Sequence, residues 1–192
     1  NGMASRGVEA GTTVAVMDWD SHRYLECYFT VPMMGAVLQT VNVRLSPEQI
    51  AYTLQHARAE VLLVHHEFLQ MLAGIRERLP ALKSIVLIAD GKTVGAAPEW
   101  IDDEYEALLH RSSAEFDFQD FDENAVATTF YTTGTTGDPK GVCFTHRQLV
   151  LPTLAVMATG RSMAGGQGFR RDDVYMPLTP MFHVHAWGLP YV

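Results

Sequence analysis

Short β-type runs alternate with helix-type runs along this chain. That order points to an α/β fold, because a strand followed by a helix delivers the chain to a parallel neighbour. Thr13 to Met17 (Thr-Val-Ala-Val-Met) reads as a buried strand. Arg23 to Met34 reads as a helix weakened at Pro32, which lacks an N–H and crowds the preceding turn. Ser46-Pro47-Glu48-Gln49 carries three agreeing helix-start signals. Ser46 can cap, Pro47 suits the first helical position, and Gln49 can close a capping box. Ile50, Leu54 and Ala57 then share one helical face. Val61 to Val64 and Ser84 to Ile88 read as strands. Between them Phe68, Met71, Leu72, Ile75 and Leu79 form the apolar stripe of a helix. Asp90 to Pro98 is a turn-rich connection, and Asp102 to His110 reads as a short helix. Asp117 to Glu123 reads as an acidic surface linker pinned by Phe116, Phe118 and Phe121. Ala125 to Tyr131 and Val142 to Phe144 are strands flanking a glycine-threonine loop, and a helix follows from about His146 to Ala158. Gly160 to Arg171, rich in glycine and arginine, reads as a loop. The units add up to a largely parallel sheet with flanking helices.

Length and charge narrow the function classes. The 192 residues suffice for a sizeable buried core, and 47% hydrophobic residues argue against general disorder. The most apolar stretch, Val31 to Val43, is interrupted by Pro32, Gly35, Gln39, Thr40 and Asn42, so no transmembrane segment is expected. The start, Asn1-Gly2-Met3-Ala4-Ser5-Arg6, carries no secretion signal. A net charge of −8 makes nucleic acid or an anionic membrane a poor partner for the surface as a whole. Cys27 and Cys143 form no spacing pattern, so both read as packing residues in a protein of the reducing cytoplasm.

The loop runs Thr132-Thr133-Gly134-Thr135-Thr136-Gly137-Asp138-Pro139-Lys140-Gly141. Its glycines let backbone N–H groups converge on an anion with no Cβ in the way. Its threonine hydroxyls can donate to phosphate oxygens or ligate Mg²⁺, and Lys140 adds a compact positive charge. This is phosphate-gripping chemistry of a particular kind. A Walker A loop would need its second glycine where Pro139 stands and a hydroxyl where Gly141 stands. The Gly-x-Gly-x-x-Gly fingerprint of dinucleotide-binding folds is absent from the segment. A plain Thr-rich hairpin would have the same flanking strands but no need of so many hydroxyls beside a lysine.

A second constellation is Pro180-Met181-Phe182-His183-Val184-His185-Ala186-Trp187-Gly188. His183 and His185 invite a metal reading, but no cysteine or carboxylate follows at ligand spacing.

With both segments in view, the chain resembles the adenylate-forming superfamily of acyl-CoA synthetases, luciferases and peptide-synthetase adenylation domains. Residues 132–141 match its signature, [Ser/Thr]-[Ser/Thr]-Gly-Thr-Thr-Gly-x-Pro-Lys-Gly, at every fixed position. Phe182-His183 matches its aromatic-His motif. Tyr24-Leu25-Glu26, Gly35-Ala36-Val37-Leu38, Asn42-Val43-Arg44-Leu45-Ser46-Pro47 and Val184-His185-Ala186-Trp187-Gly188-Leu189-Pro190-Tyr191 are similar to bacterial medium- and long-chain fatty-acyl-CoA synthetases. The resemblance implies that residues 1–192 are part of the large N-terminal, AMP-binding domain. The later Tyr-Gly-x-Thr-Glu segment, hinge and C-terminal domain of the family have no counterpart, so the chain reads as a fragment.

The resemblance also implies roles. Thr132, Thr133, Gly134, Thr135, Thr136, Gly137 and Lys140 would hold the β- and γ-phosphates of ATP, with Thr132 contacting Mg²⁺ or phosphate. His183 would contact the reacting carboxylate or the α-phosphate. Phe182, Trp187 and Gly188 would join His183 in binding the acid, Trp187 and Gly188 at the mouth of its pocket. The family's reaction turns a fatty acid into acyl-AMP and then, with CoA, into acyl-CoA. His183 and Lys140 would be the catalytic groups, acting by positioning and charge neutralisation, since the attacking carboxylate is already ionised at neutral pH. Two other readings stand beside this one: a non-catalytic fragment that at most binds phosphate weakly, and a parent ligase for aryl or short-chain acids. Core exposed by truncation would favour association, a homodimer included.

Overall fold

The computed structural model describes residues 1–91, 97–132, 137–162, 170 and 172–192. Seven strands form one sheet in the order β5-β4-β3-β1-β2-β6-β7. They span Thr13–Met17 (β1), Val37–Thr40 (β2), Val61–His65 (β3), Ser84–Ile88 (β4), Asp103–Glu104 (β5), Val126–Thr132 (β6) and Lys140–Thr145 (β7). All neighbouring pairs are parallel except β6 and β7, which form an antiparallel hairpin. The helices are α1 (Gly2–Ser5), α2 (His22–Met33), α3 (Pro47–His56), α4 (Leu69–Ile75), α5 (Tyr105–His110) and α6 (His146–Ser162).

The central strands are buried on both faces, and the alternation of their side chains divides the core in two. Val14, Val16, Leu38, Leu63 and Val86 point to one face, where Tyr24, Cys27, Tyr28 and Val31 of α2 and Leu108 of α5 cover them. Ala15, Met17, Leu62, Val64 and Ile85 point to the other, under Ile50 and Leu54 of α3 and Leu72 and Ile75 of α4. The chain goes from β1 to β2 by one face and from β2 to β3 by the other. The winding therefore reverses around β1, and the carboxyl edge there is where open α/β sheets take ligands.

Several local expectations hold. Both bonds of the Ser46–Gln49 capping box are made, each at 3.3 Å. Pro32 is tolerated because it sits in the last turn of α2, which ends before Gly35 at a φ of +73°. Of the three linker aromatics, Phe121 packs on His146 with ring centroids 4.5 Å apart and ties the segment down there, whereas Phe118 is exposed and packs edge-on against Phe116 of the same segment. Others need correcting. Asp102 to His110 is not all helix: Asp103–Glu104 pairs with β4 before α5 starts. The four-residue β2 lies inside the apolar stretch where no strand was expected. Cys27 is a buried packing residue, its thiol pushed up to about 12 by desolvation. Cys143 is exposed, because it lies on the edge strand β7. The helix after β7 continues to Ser162, past Pro152.

Candidate functional site

The hairpin sets the neck of the glycine-threonine loop. Thr132 stands opposite Lys140, and Tyr131 opposite Gly141. Directly opposed residues project to the same side of a sheet, so the first hydroxyl and the lysine emerge together. Lys140 is exposed and Thr132 half-buried. Gly137 holds a φ of +97°, a conformation that favours glycine. At Gly141 a Cβ would stand 3.3 Å from the Tyr131 ring, a tight contact to which the ring would have to yield. The Tyr131 hydroxyl lies 2.8 Å from His56 Nδ1, which fastens the neck to α3, and desolvation keeps that phenol protonated. Thr133, Gly134, Thr135 and Thr136 lie outside the described residues.

The Phe182-His183 segment is pinned across the carboxyl ends of two strands. The Met181 N–H donates to Asp20, just beyond β1, at 2.8 Å. The Tyr28 hydroxyl donates to the Met181 carbonyl. The hydroxyl of Thr40, the last residue of β2, donates to the Phe182 carbonyl at 3.1 Å. Phe182 is buried, with the Arg44 guanidinium 5.7 Å from its ring centroid. His183 is exposed. The anchor faces in and the histidine faces out. Thr40 is also in register with Phe130, two residues before Thr132. The loop neck and the Phe-His motif therefore meet at one carboxyl edge.

Beyond His183 the chain makes a left-handed turn, with Val184, His185 and Ala186 at φ of +48°, +52° and +48°. L-residues adopt this conformation at about 1–2 kcal/mol each, so the surroundings must impose it. His185 does much of the anchoring. It is buried among the rings of Tyr28, Phe130, Phe144 and Tyr191, and neither ring nitrogen has a hydrogen-bond partner. Desolvation lowers its pKa to about 4, so it is neutral at pH 7. Exposed His183 and buried His185 do not combine into a metal site among the described residues. Gly188, at φ +73°, joins Phe144, Leu149, Val156, His185 and Tyr191 around a cavity of about 190 Å³. The Trp187 side chain lies outside the described residues.

Asp20, Tyr28 and Thr40 position the motif, and sequence reasoning did not single them out. Their partners lie far along the chain, which no local pattern reveals. The available signal was position: Thr40 is the polar last residue of a buried strand, and Asp20 lies in the polar turn shortly after another.

Comparison with known proteins agrees with this architecture. The AMP-binding enzyme family matches residues 1–192. The chain belongs to that family. It is 43% identical to a long-chain-fatty-acid–CoA ligase of Thermus thermophilus over 99% of this chain and 32% of the relative. It is 38% identical to a 3-methylmercaptopropionyl-CoA ligase of Ruegeria pomeroyi, covering 98% of this chain and 34% of that one. A medium-chain-fatty-acid–CoA ligase of Ectopseudomonas oleovorans is 36% identical, over 98% of this chain and 34% of the relative. The chain thus spans about a third of the length of these curated relatives. Among solved structures, the anthranilate CoA ligase AuaEII in complex with anthranoyl-AMP superposes with a TM-score of 0.82 at 25% identity, covering 99% of this chain and 36% of that one. A long-chain-fatty-acid-CoA ligase from Archaeoglobus fulgidus superposes with a TM-score of 0.78 at 24% identity, over 98% and 34%.

Proposed function

We propose that this chain is the front part of the AMP-binding domain of an acid–CoA ligase whose full-length parent activates a fatty acid. The observation that carries the reading is the meeting of the Thr132/Lys140 neck and Phe182-His183 at one carboxyl edge. In the parent, the acid's carboxylate attacks the α-phosphate of ATP, pyrophosphate leaves, and the CoA thiol then displaces AMP from the acyl-AMP. Lys140 and the loop hydroxyls restrain the departing pyrophosphate, and His183 faces the transferring centre. Thr132 would offer Mg²⁺ the hard oxygen ligand that this ion prefers. The bound ion would neutralise phosphate charge. Phe182, held by Thr40, keeps His183 pointing outward, Gly188 borders the way to the acid's tail, and the family resemblance assigns Trp187 to binding that tail. CoA and the adenosine half of ATP are left to parts of the parent outside this chain.

The medium- and long-chain relatives favour a fatty acid. The relative named for 3-methylmercaptopropionate and the small cavity beside Gly188 favour a shorter one. Each buried methylene is worth only about 0.8 kcal/mol, so neighbouring chain lengths are distinguished weakly. The test is ATP–pyrophosphate exchange by the full-length gene product with a panel of straight-chain, thioether and aryl acids. Stimulation by fatty acids, lost in Lys140→Ala and His183→Ala, is expected. Exchange that no acid stimulates would defeat the ligase reading, and stimulation by aryl acids alone would move it to another acid class. The 192-residue chain by itself should bind Mg·ATP weakly or not at all and form no acyl-CoA.

A further inference from the structure

The winding reversal around β1 opens a second crevice at the carboxyl edge, on the β3 side. Asp18, Asp20, His22, His65, Glu67 and Asp90 line a cavity of about 530 Å³ there. His65 and Glu67 reach it from the point where β3 ends in a single 3₁₀ turn, with His66 between them in the chain. One ring nitrogen from each histidine and a carboxylate oxygen of Glu67 all lie within 4.8 Å of one another. Among the described residues this is the one group of three or more such side chains brought so close.

We propose that His65, His66 and Glu67 form a binding site for a divalent cation of the Zn²⁺ type. Two imidazoles and one carboxylate are a donor set that Zn²⁺ takes readily and Mg²⁺ does not, which separates this site from the phosphate loop. The backbone already orders the donors. His65 is buried at the end of a central strand, with its Nδ1 accepting a long 3.4 Å bond from the Glu67 N–H. The two imidazole rings lie 4.3 Å apart, centroid to centroid. Glu67 is oriented by the Trp19 indole N–H, which donates to Oε2 at 2.7 Å. His66 adds a second observation: its Nε2 is buried and has no hydrogen-bond partner, which a bound cation would supply.

Geometry states what must move. A tetrahedral ion with bonds of about 2.0–2.1 Å holds its donors roughly 3.3 Å apart. The side chains therefore close by about 1–1.5 Å, within reach of rotamer adjustment at a strand end and its three-residue 3₁₀ turn. Asp90, 3.9 Å from His65 Nε2, stands beside the site and adds negative charge. Three protein donors leave a fourth position for water.

The test uses the untagged 192-residue chain, because a purification tag of histidines would bind the same ion. Calorimetric titration with ZnCl₂ should find one ion per chain, and Co²⁺ should give the intense visible absorption of a tetrahedral complex. His66→Ala and Glu67→Gln should each weaken binding about tenfold or more, with an unchanged circular dichroism spectrum showing that the fold is kept. His110→Ala, at the exposed end of α5, should change nothing. Failure to bind Zn²⁺, or binding that survives both substitutions in the folded protein, would overturn the proposal.

Discussion

At the residue scale, two positions show how the site is held. Gly35 ends α2 and feeds β2, whose last residue grips Phe182. Its φ is +73°, its N–H donates to Pro32 and its carbonyl accepts from Gly11. A Cβ there would stand 3.2 Å from the Phe121 ring and 3.3 Å from the Ala10 side chain. Gly35→Ala is expected to cost about 1–3 kcal/mol, read as a lower midpoint in urea with an unchanged slope. His185 links the turn to pH. Its pKa falls from 6.5 to about 4 on folding, because burial disfavours the imidazolium. The unfolded chain therefore binds the proton more tightly. The contribution is complete above about pH 6.5 and is lost as pH falls toward 4, a loss of about 3 kcal/mol in all. Urea titrations across that window should show the slope, and His185→Phe, which keeps a ring in the aromatic cluster, should flatten it. An equal slope in the variant would assign the effect to other groups.

Elements were legible where their signals are local. The Ser46 capping box needs only four residues, and both of its bonds form. Ser46→Ala should destabilise by about 1 kcal/mol without altering the slope of a urea titration, since α3 loses a cap but keeps its packing through Ile50 and Leu54. β1, β3 and β4 were equally readable, because strands buried on both faces appear as unbroken β-branched and aliphatic runs. β5 was hidden for the opposite reason. It is two acidic residues, Asp103 and Glu104, with no strand propensity, and pairing with β4 alone makes it a strand. β2 was hidden in an apolar stretch too short to show a period. The loop neck could be foreseen as a hairpin. Its placement beside Phe182-His183 could not, because it depends on β6 also pairing, on its other side, with β2 from far back in the chain.

At the scale of the molecule, α6 and the segment that follows it leave large apolar side chains uncovered. Val150, Leu151 and Leu154 of α6 are each about half exposed, and Val174 and Leu178 are 96% and 87% exposed. Burying one aliphatic side chain is worth about 1.5–3 kcal/mol, so a surface of this kind drives association wherever a complementary face exists. The net charge of −8 opposes it, but that repulsion is screened beyond roughly 8 Å at physiological ionic strength. Hydrophobic contact is not screened, so salt should tip the balance toward association. The 192-residue chain is therefore expected to exceed its monomer mass of 21.3 kDa in light scattering as protein concentration rises, and more so in 0.15 M salt than in dilute buffer. Leu151→Glu combined with Leu154→Lys should restore the monomer without loss of helical circular dichroism, because both side chains point away from the core. In the longer protein proposed above, the same face would pack against the rest of the domain, and the double substitution would destabilise it instead. A mass that stays at the monomer value in both buffers would show that charge, not the apolar face, governs this surface.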